Sequence, residues 1–183
     1  VSSMTVFENT FNAEEIAAGI AEWVSIESPS FDAAAVNYMM DVAAEKMESL
    51  GAIIDRTPGS EGYGDVVRAR FSCGEGPGIL ILGHLDTVHL VGTLASSLPV
   101  KRDGDRLYGP GTVDMKGGVY LAVHALEKII EIQGRLSVPI TFLLIPDEEV
   151  GSPSTRTLIE AEAQANRYVL VPEPAKPGKF VTC

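Results

Sequence analysis

Ile79-Leu80-Ile81-Leu82-Gly83-His84-Leu85-Asp86-Thr87-Val88 is the stretch on which the reading of the chain turns. Four large aliphatic residues end in a glycine, and His84 and Asp86 follow two positions apart. Such a run predicts a strand buried on both faces, as in a parallel sheet covered by helices. Ligands of such sheets bind just beyond the carboxyl ends of the strands. Residues two apart on extended backbone point to the same side, so His84 and Asp86 are expected together at that edge. A metal-bound imidazole commonly donates its other N–H to a carboxylate. The pair is therefore a candidate metal ligand with an acid beside it; a satisfied polar pair without metal is the plainer alternative.

Upstream of this strand, Asn12 followed by Glu15 resembles a capping box. Ile16, Ile20, Trp23 and Val24 then trace one face of an amphipathic helix, which Ser28-Pro29-Ser30 breaks. A second helix is predicted from about Asp32 to Leu50, with Gly51 as its stop. Its inward Met39, Met40 and Met47 are core filler rather than a cofactor box. Ala52 to Arg56 and Val66 to Phe71 read as strands. From Thr87 to Gly111 the chain reads as irregular, and a long connection of that kind is more often functional than accidental.

Downstream, a helix is predicted from about Gly117 to Gln133, apolar nearly all round and hence expected to be buried. Pro139 to Ile145 reads as a second fully buried strand. Ser152-Pro153 has the pattern of a helix start, and that helix is expected to run to about Ala165. Tyr168 to Val171 is a further strand, and Lys179 to Thr182 begins another extended segment. Strands alternating with helices imply an α/β fold with a mostly parallel sheet.

With 183 residues, 45% of them hydrophobic, the chain is long enough for one sizeable core. A net charge of -11 argues against nucleic acid or an anionic membrane surface as partner. Cys73 and Cys183 form no Cys-x-x-Cys pattern and read as unpaired thiols. No stretch approaches a membrane span, and Val1-Ser2-Ser3-Met4 carries no basic region before an apolar core. A cytoplasmic protein is expected, or a periplasmic one if a signal peptide has been removed.

Three further acid sites stand beside His84. Asp114 lies between a glycine-rich loop and the apolar helix, Glu148 and Glu149 follow the strand ending at Ile145, and Glu173 follows the strand ending at Val171. Carboxylates gathered at one sheet edge repel unless something positive sits among them. A divalent cation, or two, is the cheapest resolution. A lone Glu after a strand is ordinarily a cap or a solvated loop residue, so the weight rests on the set. The glycine-rich loop lacks both the third glycine of a dinucleotide fingerprint and a Gly-Lys-Ser/Thr. His89 and His124 read as structural.

Four ordered motifs now carry a resemblance. They are His84-Leu85-Asp86-Thr87-Val88, Gly109-Pro110-Gly111-Thr112-Val113-Asp114-Met115-Lys116-Gly117-Gly118, Asp147-Glu148-Glu149-Val150-Gly151-Ser152 and Glu173-Pro174. Together they resemble the co-catalytic zinc aminoacylase and carboxypeptidase family, which includes acetylornithine deacetylase, succinyl-diaminopimelate desuccinylase and the carboxypeptidase G enzymes. His84 through Ala95 is most similar to carboxypeptidase G.

The resemblance implies a zinc-exopeptidase-like three-layer sandwich, with a mostly parallel central sheet flanked by helices. It assigns His84 and Glu173 to a first metal, Asp114 to a bridge between two metals and Glu149 to the second. Asp86 would orient the His84 ring, and Glu148 would be the general base. It also implies a cis peptide at Asp114-Met115. The implied cofactor is Zn2+, two per complete site, with Co2+ or Mn2+ as alternatives. The implied activity is hydrolysis of amide bonds through a metal-bridged water, releasing a C-terminal glutamate-type residue. An N-acyl amino acid deacylase and an inactive metal-binding fragment are the alternatives. The partner is then a small peptide-like or N-acyl amino acid substrate, with no nucleic acid and no membrane.

In that family a last His ligand to the second metal follows an inserted lid and dimerisation domain. Residues 1–183 are accordingly expected to be the first segment of the catalytic domain, without the lid domain or the C-terminal catalytic segment. The longer form would be a homodimer through that lid. This chain is expected to bind one divalent ion better than two, and not to turn over substrate.

Overall fold

A computed structural model of the chain describes residues 10–74 and 76–175. Helices α1 (Ala13–Val24) and α2 (Ala33–Ser49) come first, then strands β1 (Ile53–Thr57), β2 (Val66–Phe71) and β3 (Ile79–His84). A short pair follows, β4 (Lys101–Asp103) and β5 (Arg106–Tyr108), then helix α3 (Gly117–Gln133). The described chain ends with β6 (Ile140–Ile145), α4 (Arg156–Ala165) and β7 (Tyr168–Leu170). The extended segment expected at Lys179–Thr182, and Cys183, lie outside the described residues.

Local chemistry sets the helix boundaries. Asn12 accepts from the N–H of Glu14 at 2.9 Å and of Glu15 at 3.5 Å; Asp32 does the same for α2 through the Ala35 N–H at 3.0 Å. The helix expected at Ser152-Pro153 starts later, at Arg156. The Asp147 carboxylate draws in the Ser154 N–H and the hydroxyls of Ser154 and Thr155, and Ser152 sits at φ 54. That turn uses the donors a helix start would need, so helical geometry begins only beyond it.

The main sheet has the order β1-β2-β6-β3-β7. It is mixed: β3 pairs in parallel with β6 and β7, whereas β1–β2 and β2–β6 are antiparallel. Alternate residues of the buried strands face opposite layers. Ile81, Phe142 and Leu144 pack into a core with Val36, Met39, Met40 and Met47 of α2 and Val119 and Val123 of α3. Leu80, Leu143 and Ile145 pack on the other face against Leu158 and Ile159 of α4. This is the expected three-layer α/β arrangement.

Two further expectations need correction. The stretch from Thr87 to Gly111 is not wholly irregular, because β4 and β5 pair around the Asp103-Gly104 turn with Gly104 at φ 62. These strands are three residues each and mostly exposed, too short to show an alternation. Helix α3 is buried on one side only; Leu121 remains 47% exposed and Ile132 37%. Helix α1 and the sheet cover that buried side, with Trp23 edge-on to Tyr120 at 5.3 Å.

Candidate metal centre

Strand β3 delivers His84 to the carboxyl edge of the sheet, with the ring fully buried. Its Nδ1 lies 2.9 Å from the backbone carbonyl of Asp86 and 3.3 Å from Asp86 Oδ1. A carbonyl only accepts, so Nδ1 carries the proton and Nε2 faces the site. Around Nε2 stand Asp114 Oδ1 at 3.0 Å, Glu173 Oε1 at 3.4 Å and Glu148 Oε2 at 3.8 Å. The backbone N–H of His84 donates to Met115 Sδ at 3.2 Å.

Each carboxylate arrives from a different element. Asp114 sits in the turn Thr112–Lys116, whose Asp114 and Met115 are non-helical, and the peptide between these two is cis. Glu148 and Glu149 lie in a 3-10 turn, Glu148–Val150, not on the extended backbone that would turn adjacent side chains to opposite sides. They diverge nonetheless, because successive residues of such a turn lie about a third of a turn apart. Glu148 borders a cavity of about 230 Å³ with Glu173 and His84; Glu149 borders one of about 410 Å³ with Asp114 and His89. Strand β7 pairs with β3 only from Ile79 to Ile81, so the chain leaves the sheet early and brings Glu173 round to the imidazole.

Ligand atoms fall into two trios, each within 4.8 Å: His84, Glu148 and Glu173, and His84, Asp114 and Glu149. The geometry thus shares His84 between the trios. The sharing of Asp114 between two metals is a role carried over from the resemblance alone. An imidazole nitrogen with several carboxylate oxygens is a donor set that suits zinc, and also manganese or cobalt.

The electrostatics point to a cation as well. Burial lowers the His84 pKa, but the hydrogen bond and charge of Asp86, the charge of Glu173 and the hydrogen bond to Asp114 outweigh it and raise it to about 9. Burial also raises Glu173; the positive His84 ring pulls the other way, but the charges of Asp114 and Glu148 help bring it to about 7. Glu149 is raised for the same reasons, burial first and the Asp114 charge next. Crowded carboxylates hold protons when no stronger positive charge is present.

Within reach of the Asp86 charge lies a buried lysine that sequence reasoning had not set apart from its motif. Lys116 is fully buried and its Nζ donates to the Ile26 carbonyl at 2.5 Å. Burial lowers its pKa to about 7, against the raising effect of the Asp86 and Glu27 charges. Of the histidines read as structural, His124 is buried on α3, its ring stacked on Tyr120 with centroids 6.1 Å apart. His89 lines the larger cavity. Cys73 is a free thiol whose Sγ approaches the Leu136 carbonyl at 2.6 Å. Among the described residues, no helix is long and apolar enough to cross a membrane.

The profile of the peptidase family M20/M25/M40 matches residues 80–182, and the chain belongs to that family. It is 36% identical over 157 residues to carboxypeptidase G2 of Pseudomonas sp. (strain RS-16), covering 85% of this chain and 37% of that protein. To acetylornithine deacetylase of Myxococcus xanthus it is 28% identical, covering 87% of this chain and 42% of that one. The crystal structure of human carnosine dipeptidase 1 has the same fold, with a TM-score of 0.77 at 24% identity over 91% of this chain and 40% of that one. The chain thus spans about two fifths of the length of these relatives.

Proposed function

We propose that this chain carries the cation-binding face of a hydrolase that cleaves amide bonds in small peptide-like or N-acyl amino acid substrates. The observation that carries the reading is the convergence of Asp114, Glu148 and Glu173 within 3.8 Å of one buried imidazole nitrogen, with Glu149 beside them. Family membership and the 36% identity to carboxypeptidase G2 support release of a C-terminal glutamate-type residue as the reaction. The deacetylase relative keeps N-acyl amino acids as the alternative substrate class.

A divalent cation bound here, zinc by the donor set, would polarise the amide carbonyl and acidify the attacking water. His84 would offer Nε2, its ring held through Nδ1 by Asp86. Asp114, Glu149 and Glu173 would supply carboxylate oxygens, Asp114 in the shared role that the family resemblance implies. Glu148 is exposed and free to move a proton: its Oε2 takes one from the water and returns it to the leaving amine.

The test separates binding from chemistry. Zinc titration of the chain by calorimetry is expected to show uptake that His84→Ala abolishes and Glu148→Gln preserves. In the protein that carries this chain, Glu148→Gln is expected to cut hydrolysis of N-benzoylglutamate or an N-acetyl amino acid by roughly 10²–10⁴-fold. Wild-type hydrolysis in the Glu148→Gln variant would remove Glu148 as the base.

A further inference from the structure

Ser28-Pro29-Ser30, which at first only separates α1 from α2, runs alongside the chain just beyond β3. Pro29 forms a parallel bridge with Thr87. The Thr87 N–H donates to the Ser28 carbonyl at 2.9 Å, and the Ser30 N–H to the Thr87 carbonyl at 3.3 Å. Both serines are buried, and their hydroxyls go to different places. Ser28 Oγ donates to the Leu85 carbonyl at 2.6 Å, a purely backbone partner. Ser30 Oγ donates to Asp86 Oδ2 at 2.6 Å.

Asp86 is fully buried, and its carboxylate gathers the site. The Glu148 N–H donates to Oδ1 and the Glu149 N–H to Oδ2, each at 3.2 Å, and His84 Nδ1 lies 3.3 Å from Oδ1. One carboxylate therefore sets both the ring and the turn that carries two acidic side chains. Its other partners belong to the site they help to build. Among the described residues, the Ser30 hydroxyl is the one donor to this carboxylate that comes from the segment between α1 and α2, which its own backbone bonds to Thr87 hold in place. A carboxylate held at both oxygens by fixed donors cannot rotate without breaking one of them.

We infer that Ser30 is a positioning residue of this site: acting through Asp86, it fixes the Glu148–Glu149 turn and the His84 ring. The inference rests on the cation-site reading for its functional effect, whereas its structural half can be read without a cation. Direct partners of metal ligands, the place Asp86 holds here, typically change affinity by about 10–100-fold when removed; Ser30 stands one step further out, so a smaller effect is expected.

The experiment compares Ser30→Ala with Ser28→Ala, which removes an equally buried hydroxyl from the same segment. Both variants are checked for folding by thermal melting. Ser30→Ala is expected to speed hydrogen exchange at the Glu148 and Glu149 amides and to weaken zinc binding, by no more than about tenfold. Ser28→Ala is expected to leave both readouts as in the unsubstituted chain. Unchanged exchange and affinity in Ser30→Ala, or an equal loss in Ser28→Ala, would overturn the inference. If the unsubstituted chain takes up no zinc while Ser30→Ala alone exposes the two amides, the positioning role stands and the cation reading falls.

Discussion

Both nitrogens of the His84 imidazole face carboxylates, so a proton and a cation compete for the same lone pair on Nε2. With its pKa raised to about 9, the ring is protonated at neutral pH, and it must give up that proton to become a ligand. Glu173, raised to about 7, adds a further fraction of a proton below neutrality. The sign follows directly: zinc uptake near pH 7.5 should release protons, and affinity should fall as pH drops, more steeply below about 7. Above about 9 the His84 contribution should vanish. Calorimetry in two buffers of different ionisation enthalpy measures the proton count, and identical heats in both would refute the competition. At this scale the sequence showed His84, Asp86, Asp114, Glu148, Glu149 and Glu173 as candidates, because each stands at the end of an apolar run or in a glycine-rich loop. It did not show Ser30, whose partner lies 56 residues away, nor the depth of Lys116, because a hydroxyl or an ammonium carries no local pattern that tells where it is buried.

Elements place these residues by close approach and by paired charge. A Cβ on Gly118, in the first turn of α3, would come within 1.9 Å of the Pro172 carbonyl oxygen, immediately before Glu173. Gly118→Ala is expected to cost about 1–3 kcal/mol and to weaken zinc binding by displacing Glu173; denaturant melts and titration report each effect. Away from the site, β1 is tied to the loop before β2 through Asp65, which accepts from Arg56 at 2.6 Å and from the Gly59 N–H at 2.8 Å. Burial raises the Asp65 pKa, but these donors and the Arg56 charge outweigh it and lower it overall. The unfolded chain therefore binds the proton more readily, and the stability Asp65 contributes is present above the ordinary carboxylate range and lost as pH falls through its depressed pKa. Asp65→Asn is expected to destabilise near neutrality by about 1 kcal/mol and to converge with the wild type in acid, as melts across pH would show. Most helices and the buried strands were legible from periodicity, since their apolar faces are continuous. Strands β4 and β5 were not, and neither was the late start of α4, because Asp147 decides it through side-chain bonds that no hydropathy pattern records.

Over the whole molecule, two apolar layers hold the sheet and a net charge of -11 opposes compaction, part of it concentrated at one edge. A cation taken up there binds the folded state alone, so its free energy adds to stability. Zinc at about a hundred times its dissociation constant is expected to add about 2.7 kcal/mol, seen as a rise in melting temperature that a chelator reverses and that His84→Ala does not show. The α/β architecture was readable because strand and helix periods alternate, whereas the antiparallel pairing of β2 with β6 depends on contacts between segments far apart in the chain. One further consequence concerns how the protein ages. The thioether that receives the His84 N–H is the atom of the site most open to peroxide chemistry, and Met115 is 1% exposed. Oxygen can reach that sulfur only when this part of the chain opens, and the resulting sulfoxide is polar and bulkier in a space shaped for neither. The rate at which Met115 gains an oxygen atom is therefore a clock for local opening, and a bound cation should make that clock run slow.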